Sequence, residues 1–365
     1  MEPEDYSLRC DNCQGNTSPS PSPTDEEELI IAYSARLVVA LIVLVTFVVG
    51  LVGNTLVLIA VAVSRKLQTS TNAIVVNLAV ADILFCFVIP FQVTNTLSNR
   101  GPLLEDKLCA VIGGIAISAA NASVITLALI AVNRLVIITA KRSTYRRIFS
   151  ARNVAIMIAL SWLIPLSTKV IPQLAGKGKL GYIKQHGICA MDLTTKYARI
   201  YLIITACVQI CCFVVVVVAY GLIYTFLRKN FFGKHRMPPT TPSAASIPQL
   251  LMSQPTQENQ PDNRQNAQVG RELPSKREIQ ITRNFFWVIF GFFVSFVPYA
   301  ITVVIPHNRK ALFFMNLFLC ASNFINPLIY GFNHPHFRVV FRALLRRDFD
   351  QITEPAPWLR KLRQS

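Results

Sequence analysis

Charge is scarce in this chain: only 15% of its 365 residues are Asp, Glu, Lys or Arg, against roughly 25% in soluble domains. That shortage excludes an ordinary water-soluble fold. Histidine is scarcer still. His186 and His307 fall between apolar runs on one side and His235, His334 and His336 on the other, so no run contains one. No nucleophile stands beside a base and no metal-ligand cluster is evident, so an enzyme is not expected. Acid is nearly missing from the apolar runs, where Asp82 alone lies deep. A channel or transporter would show a ring of charge, an internal repeat or Gly/Pro-broken helix pairs, and none is seen. The start of the chain has no basic segment leading to an apolar stretch and a small-residue cleavage site. The first apolar run is therefore expected to act as its own insertion signal.

What the chain does have is hydrophobic residues, 52% of the total, gathered into long runs. Runs of 18 or more with few charges read as membrane-spanning helices. Seven are expected, at Tyr33–Val63, Thr71–Leu97, Asp106–Thr139, Ala151–Pro172, Tyr197–Leu227, Ile279–Ile305 and Ala311–Phe332. The fold class is an all-α membrane protein, a seven-transmembrane helix bundle in the lipid bilayer. Basic residues set its orientation. With the N-terminus outside, the inner segments hold 23 Lys/Arg and the outer segments 12. Residues 1–28 also hold eight Asp/Glu against Arg9. The N-terminus is thus placed outside and the C-terminus in the cytoplasm, as in a multi-pass plasma-membrane protein. The net charge of +17 reads as attraction to the inner leaflet rather than binding of nucleic acid, which is not an expected partner.

Residues 1–32, with "SPSPSPTDEEE", are expected to form a disordered extracellular segment, and Asn16 begins a glycosylation sequon there. The bundle occupies residues 33–332, interrupted at 229–277 by a Pro- and Gln-rich third inner loop that also reads as disordered. Residues 333–365 are read as a short amphipathic helix followed by a short tail without helix. On that helix Phe337, Phe341, Leu344 and Leu345 share one face and arginines the other. Four cysteines fall outside the membrane, Cys10, Cys13, Cys109 and Cys189, and an even number there suggests disulfides. Cys10 and Cys13 are equally readable as a pair or as free thiols. The remaining five, Cys86, Cys207, Cys211, Cys212 and Cys320, lie within spans.

Polar groups inside the spans carry the functional signal, because each must be satisfied or useful. The deep ones are Asn54, Asp82, Ser123, Asn323 and Asn326, with Arg134 near the end of the third span. Gly53-Asn54, "NLAVAD" at Asn77–Asp82, Cys109 with Cys189, Trp162, Pro298 and "NPLIY" at Asn326–Tyr330 form an ordered set across all seven spans. This set resembles the rhodopsin-like (class A) G-protein-coupled receptors. The resemblance implies a Cys109–Cys189 disulfide. It also implies that an outside ligand shifts the bundle towards a packing that opens a cytoplasmic cleft for a heterotrimeric G protein. Asn133-Arg134-Leu135 stands where the family has acid-Arg-Tyr, and with "RNFFWVIFGFFVSFVPYAI" it resembles the melatonin-receptor-like and moody-like orphan receptors.

Further departures are Phe296 for the sixth-span tryptophan, Cys212 for the fifth-span proline, and Ser322-Asn323 for Asn-Ser. The last moves a polar group by about 100° around its helix, although Asp82, Ser123 and Asn326 still match a sodium site. No other cofactor is implied. Ala116 stands where amine receptors carry an aspartate and Cys320 where opsins carry the retinal lysine, so neither a monoamine nor a Schiff base is expected. The resemblance places a ligand pocket at Ile117, Ala120, Gln209, Phe296, Tyr299 and Asn316. Lysines and arginines of the second and third outer loops, among them Lys169, are opposed by Asp192 alone. They favour a neutral or anionic small molecule, a lipid acid or an indole-like compound.

At the inner end, Arg134 has an amide neighbour, Asn133, in place of an acid. Twenty residues before Pro298 stands Glu278, the best remaining partner for Arg134. The pair is expected at the water edge, with Tyr220, Pro327 and Tyr330 joining the rearrangement on activation. The alternative function is a seven-span receptor that recruits arrestin or scavenges ligand without G-protein turnover.

Overall fold

Backbone groups in a bilayer must be satisfied within their own segment, which leaves long apolar runs little choice but helix. The computed structural model describes residues 31–98, 103–183, 188–191, 196–232, 275–304, 309–352 and 354–364. Seven long helices are found among them: α1 (Tyr33–Val63), α2 (Ser70–Leu97), α3 (Asp106–Thr139), α5 (Ala151–Leu174), α6 (Lys196–Leu227), α7 (Lys276–Val304) and α8 (Arg309–Asn333). Each lies within three residues of its expected span at either end. A short α4 (Arg142–Ile148) joins α3 to α5, and strands β1 (Leu180–Ile183) and β2 (Ile188–Met191) precede α6. By length and composition alone, five of the described helices are long and apolar enough to cross a membrane. Cys10, Cys13, Asn16 and nearly all of residues 1–32 and 229–277 lie outside the described residues. At the margins of the latter region, Arg228–Phe232 form a π-helical turn and α7 already begins at Lys276.

Local chemistry fixes several helix starts. Thr69 and Ser150 accept bonds from the amides of Asn72 and Asn153, which satisfies one orphan donor in each first turn. Pro335 opens α9 (Pro335–Leu345), where its missing N–H costs nothing, and His334 caps it. α3 runs through the centre, against α2, α5, α6 and α7, while α1 packs on α2 and α8. The outer faces stay apolar, as at Val45, Val48, Ile210 and Val217, all exposed. Such a belt suits lipid. Close approach needs small residues: a Cβ on Gly53 would sit 2.6 Å from Cγ of Pro327, so α1 meets α8 only through glycine.

At one end of the bundle, β1 and β2 form an antiparallel hairpin with Tyr182 opposite Cys189. Cys109 at the start of α3 is bonded to Cys189. The phenol of Tyr182 is pushed above its ordinary pKa by burial, an effect that Arg36 partly offsets. Arg36 itself donates to the carbonyls of Thr96 and Ser98, where a cation complements the helix C-terminus.

The opposite end corrects two expectations. α9 buries Phe337, Val340, Phe341 and Ala343, whereas Leu345 is 70% exposed; the contact face is set by the turn on which Tyr330 stacks against Phe337. The tail beyond α9 is not free of helix either. α10 (Pro357–Gln364) follows a strap that pairs with the α1–α2 connection: the Arg65 amide donates to Glu354, and the Ala356 amide donates to Val63. Ile352, Ala356 and Leu359 are buried there. Leu359→Asp should release this strap. The expected result is faster tryptic cleavage at Arg360 and Lys361 with the bundle's melting temperature little changed, read by limited proteolysis and thermal denaturation.

Candidate functional site

Midway along the bundle, three helices meet on one carboxylate. Asp82 of α2 accepts the Ser123 hydroxyl of α3 at 3.2 Å and the Asn326 amide of α8 at 2.8 Å. Asn54 of α1 donates to the carbonyls of Gly50 and Asn323. The Asn323 side chain turns back to the Cys320 carbonyl at 3.2 Å, its own helical turn, and not to Asp82. Asn326 Oδ1 is buried with no partner among the described residues, which leaves an acceptor available beside the carboxylate. A second knot ties α2, α3 and α5: Asn77 donates to Thr126 and Ser161 and accepts from the Trp162 indole. Sequence reasoning had missed Asn77 as a polar hub, although it opens the "NLAVAD" stretch.

Towards the α9 end, Arg134 of α3 reaches Glu278 of α7, with Nη1 3.4 Å from Oε2. Its guanidinium carbon lies 4.6 Å from the ring centre of Phe285, a cation–π contact. Arg134 is 4% exposed and Glu278 38%. The arginine is therefore inside the bundle rather than at the water edge, because the packing of α7 covers it with Phe285; only the acid remains open to water. Asn133 faces elsewhere, accepting the Thr71 hydroxyl at 2.8 Å, and Tyr145 of α4 is 3.2 Å from that hydroxyl. Leu135, half-buried, packs against the core. Tyr220 and Tyr330 are near, each with a buried hydroxyl lacking a partner among the described residues. Pro298 and Pro327 lie within α7 and α8.

The end carrying the disulfide holds the residues assigned to the ligand. Gln209 of α6 donates to Asn121 of α3, and Asn121 donates to the Ile117 carbonyl. Ala120 is half-buried beside them. The side chains of Phe296, Tyr299 and Asn316 lie outside the described residues, so the structure brings together Ile117, Ala120 and Gln209 alone. Asn121 is a further polar group inside α3 that the sequence pattern does not mark as part of the site. Deeper, a small apolar cavity is walled by Val124, Leu127, Phe213 and Phe292. Lys169 is a correction. It is not a loop charge but lies in α5, 6% exposed, with Nζ 3.4 Å from the Thr205 hydroxyl of α6. Its position inside the fourth apolar run was the available signal.

A bundle of seven helices with a hairpin pinned to the third, an acid at mid-depth and an arginine tie at the far end defines a transmembrane receptor architecture. The sequence pattern of the 7 transmembrane receptor (rhodopsin family) matches residues 53–330. The chain belongs to that family, whose members are receptors rather than enzymes. It is 26% identical to the G-protein coupled receptor moody of Drosophila pseudoobscura pseudoobscura, over 90% of this chain and 55% of that protein. It is 25% identical to the allatostatin-A receptor of Bombyx mori, over 82% of this chain and 76% of the other. The chain spans about half the length of the moody relatives. In three dimensions it is similar to squid rhodopsin, with a TM-score of 0.69 and 19% identity over 88% of this chain and 89% of that one.

Proposed function

We propose that the protein is a plasma-membrane receptor, N-terminus outside, that converts binding of an extracellular ligand into activation of a heterotrimeric G protein. The observation that carries this reading is the Arg134–Glu278 contact, because it ties α3 to α7 across the end where a transducer would enter. Opening that end requires the tie to break, so ligand affinity for the open packing becomes signalling. The ligand reading is a neutral or anionic small molecule, a lipid acid or an indole-like compound, held near Ile117, Ala120 and Gln209. Nucleotide exchange on purified G proteins, driven by the receptor in nanodiscs, tests the coupling. Arrestin recruitment with no exchange on any G protein would replace this reading with the arrestin-type alternative, which the Asn133–Thr71 bond in place of an acid favours.

The same reading takes in sodium at Asp82. The carboxylate, the Ser123 hydroxyl and the unpartnered Asn326 Oδ1 form an all-oxygen set suited to a hard cation. Since these residues come from α2, α3 and α8, a cation there would favour the present packing. Sodium chloride should raise the melting temperature and lower basal exchange relative to choline chloride. Asp82→Asn should remove both effects, and equal responses in wild type and variant would discard the site.

A further inference from the structure

Lys169 is a charged residue in a membrane helix with no acid beside it among the described residues. It lies five residues before the end of α5 at Leu174, close enough for a lysine to extend to the interface and keep its ammonium in water. It does not. The side chain is 6% exposed and turned inward to α6. Its one hydrogen bond among the described residues is to the Thr205 hydroxyl, which donates in turn to the Tyr201 carbonyl at 2.8 Å. The hydroxyl's proton is therefore committed, and its lone pair receives the lysine. An ammonium carries three donors, so two remain for another acceptor. Neutral oxygen alone is poor compensation for a buried cation, whose desolvation costs several kcal/mol.

The surroundings indicate what the missing acceptor is attached to. Thr205 and Gln209 are one helical turn apart on the same face of α6, and Gln209 bonds to Asn121 of α3. Lys169 thus heads a polar row, Lys169–Thr205–Gln209–Asn121, that leads from α5 into the centre of the bundle beside Ala120 and Ile117. Apolar side chains fill the depth below it, as at Val124 and Phe213. We propose that Lys169 is the anion-binding residue of the ligand site: it pairs with the carboxylate of an amphiphilic acid whose apolar body extends past Thr205 towards Gln209 and Asn121. This rests on the receptor reading and narrows it, from a neutral or anionic ligand to a carboxylate, and from loop charges to one buried lysine. An intramembrane ionisable residue is retained at a cost and by default has such a use.

The test uses the full chain in nanodiscs, with laurate, its primary amide and dodecyl phosphate as probes, and thermal unfolding as a readout independent of signalling. Laurate should raise the wild-type melting temperature in a saturable way, and the amide should not. Lys169→Met should lose at least tenfold in apparent laurate affinity, while Lys169→Arg retains most of it. Lys169→Met should itself fold at least as well as wild type, since it removes an uncompensated charge; Thr205→Val, which leaves the lysine in place, should weaken laurate less. No wild-type shift with laurate, or an equal shift in Lys169→Met, overturns the proposal. A shift with dodecyl phosphate but not laurate overturns the carboxylate assignment. Nucleotide exchange by the wild-type preparation separates the two readings. Exchange without a laurate effect removes the subsite and leaves the receptor, whereas a Lys169-dependent shift without exchange does the reverse.

Discussion

Arg134→Ala is expected to abolish G-protein nucleotide exchange while the protein still reaches the cell surface, and Glu278→Gln to raise exchange without ligand. The two halves of the contact differ in exposure, and that decides the sign of each. Deleting the buried arginine leaves a carboxylate that is 38% exposed, so no buried charge is stranded and folding is largely spared. What disappears is the guanidinium that the open packing would present to a transducer. Neutralising Glu278 instead leaves Arg134 against Phe285 without its charged partner. A pair with one solvent-exposed partner contributes about 1 kcal/mol, and about 1.4 kcal/mol is a tenfold change in a population ratio. Basal exchange should therefore rise roughly five-fold, measured at matched surface expression. Unchanged basal exchange in Glu278→Gln would remove the tie, and full signalling by Arg134→Ala would remove its role in coupling.

Cys189→Ser should have the larger effect on folding. The Cys109–Cys189 bridge closes a sequence separation of 80, and a loop of that size corresponds to about 4–5 kcal/mol of chain entropy in the unfolded state. The hairpin it holds is fitted closely to the bundle. Gln92 brackets the Cys189 backbone, donating to its carbonyl at 3.0 Å and accepting from its amide at 2.9 Å. A Cβ on Gly113 would stand 2.8 Å from the same carbonyl oxygen. Loss of surface expression in Cys189→Ser, shared by Cys109→Ser and not worsened in the double variant, is the expected outcome. The double variant falling well below either single would show that the two cysteines act separately. Gln92→Ala, which removes two hydrogen bonds and no covalent link, should cost less, about 1–3 kcal/mol.

Much of this molecule is already written along the chain. Hydrocarbon forbids unpaired backbone, so seven long apolar runs must be helices, and their ends follow from where polar residues resume. The pairing of Cys109 with Cys189 and the approach of Glu278 to Arg134 were also legible, because both follow from ordered residues that resemble a known family at set spacings. What the pattern could not supply is rotation. In a soluble helix one apolar face marks the core, but here lipid and core are both apolar, so hydropathy does not say which side of a helix meets a neighbour. Only packing could therefore turn Lys169 inward to Thr205, aim Asn133 at Thr71 rather than at Arg134, and direct the Asn323 side chain away from Asp82. The tail shows the same division. Pro357–Gln364 is too short a segment to declare itself a helix in isolation, and it forms because the α1–α2 turn offers Val63 and Arg65 backbone groups to the strap that precedes it. The sequence alone settled which segments cross the membrane, since that depends on composition. Tertiary structure decided which polar groups meet, since that depends on how each helix is turned about its own axis.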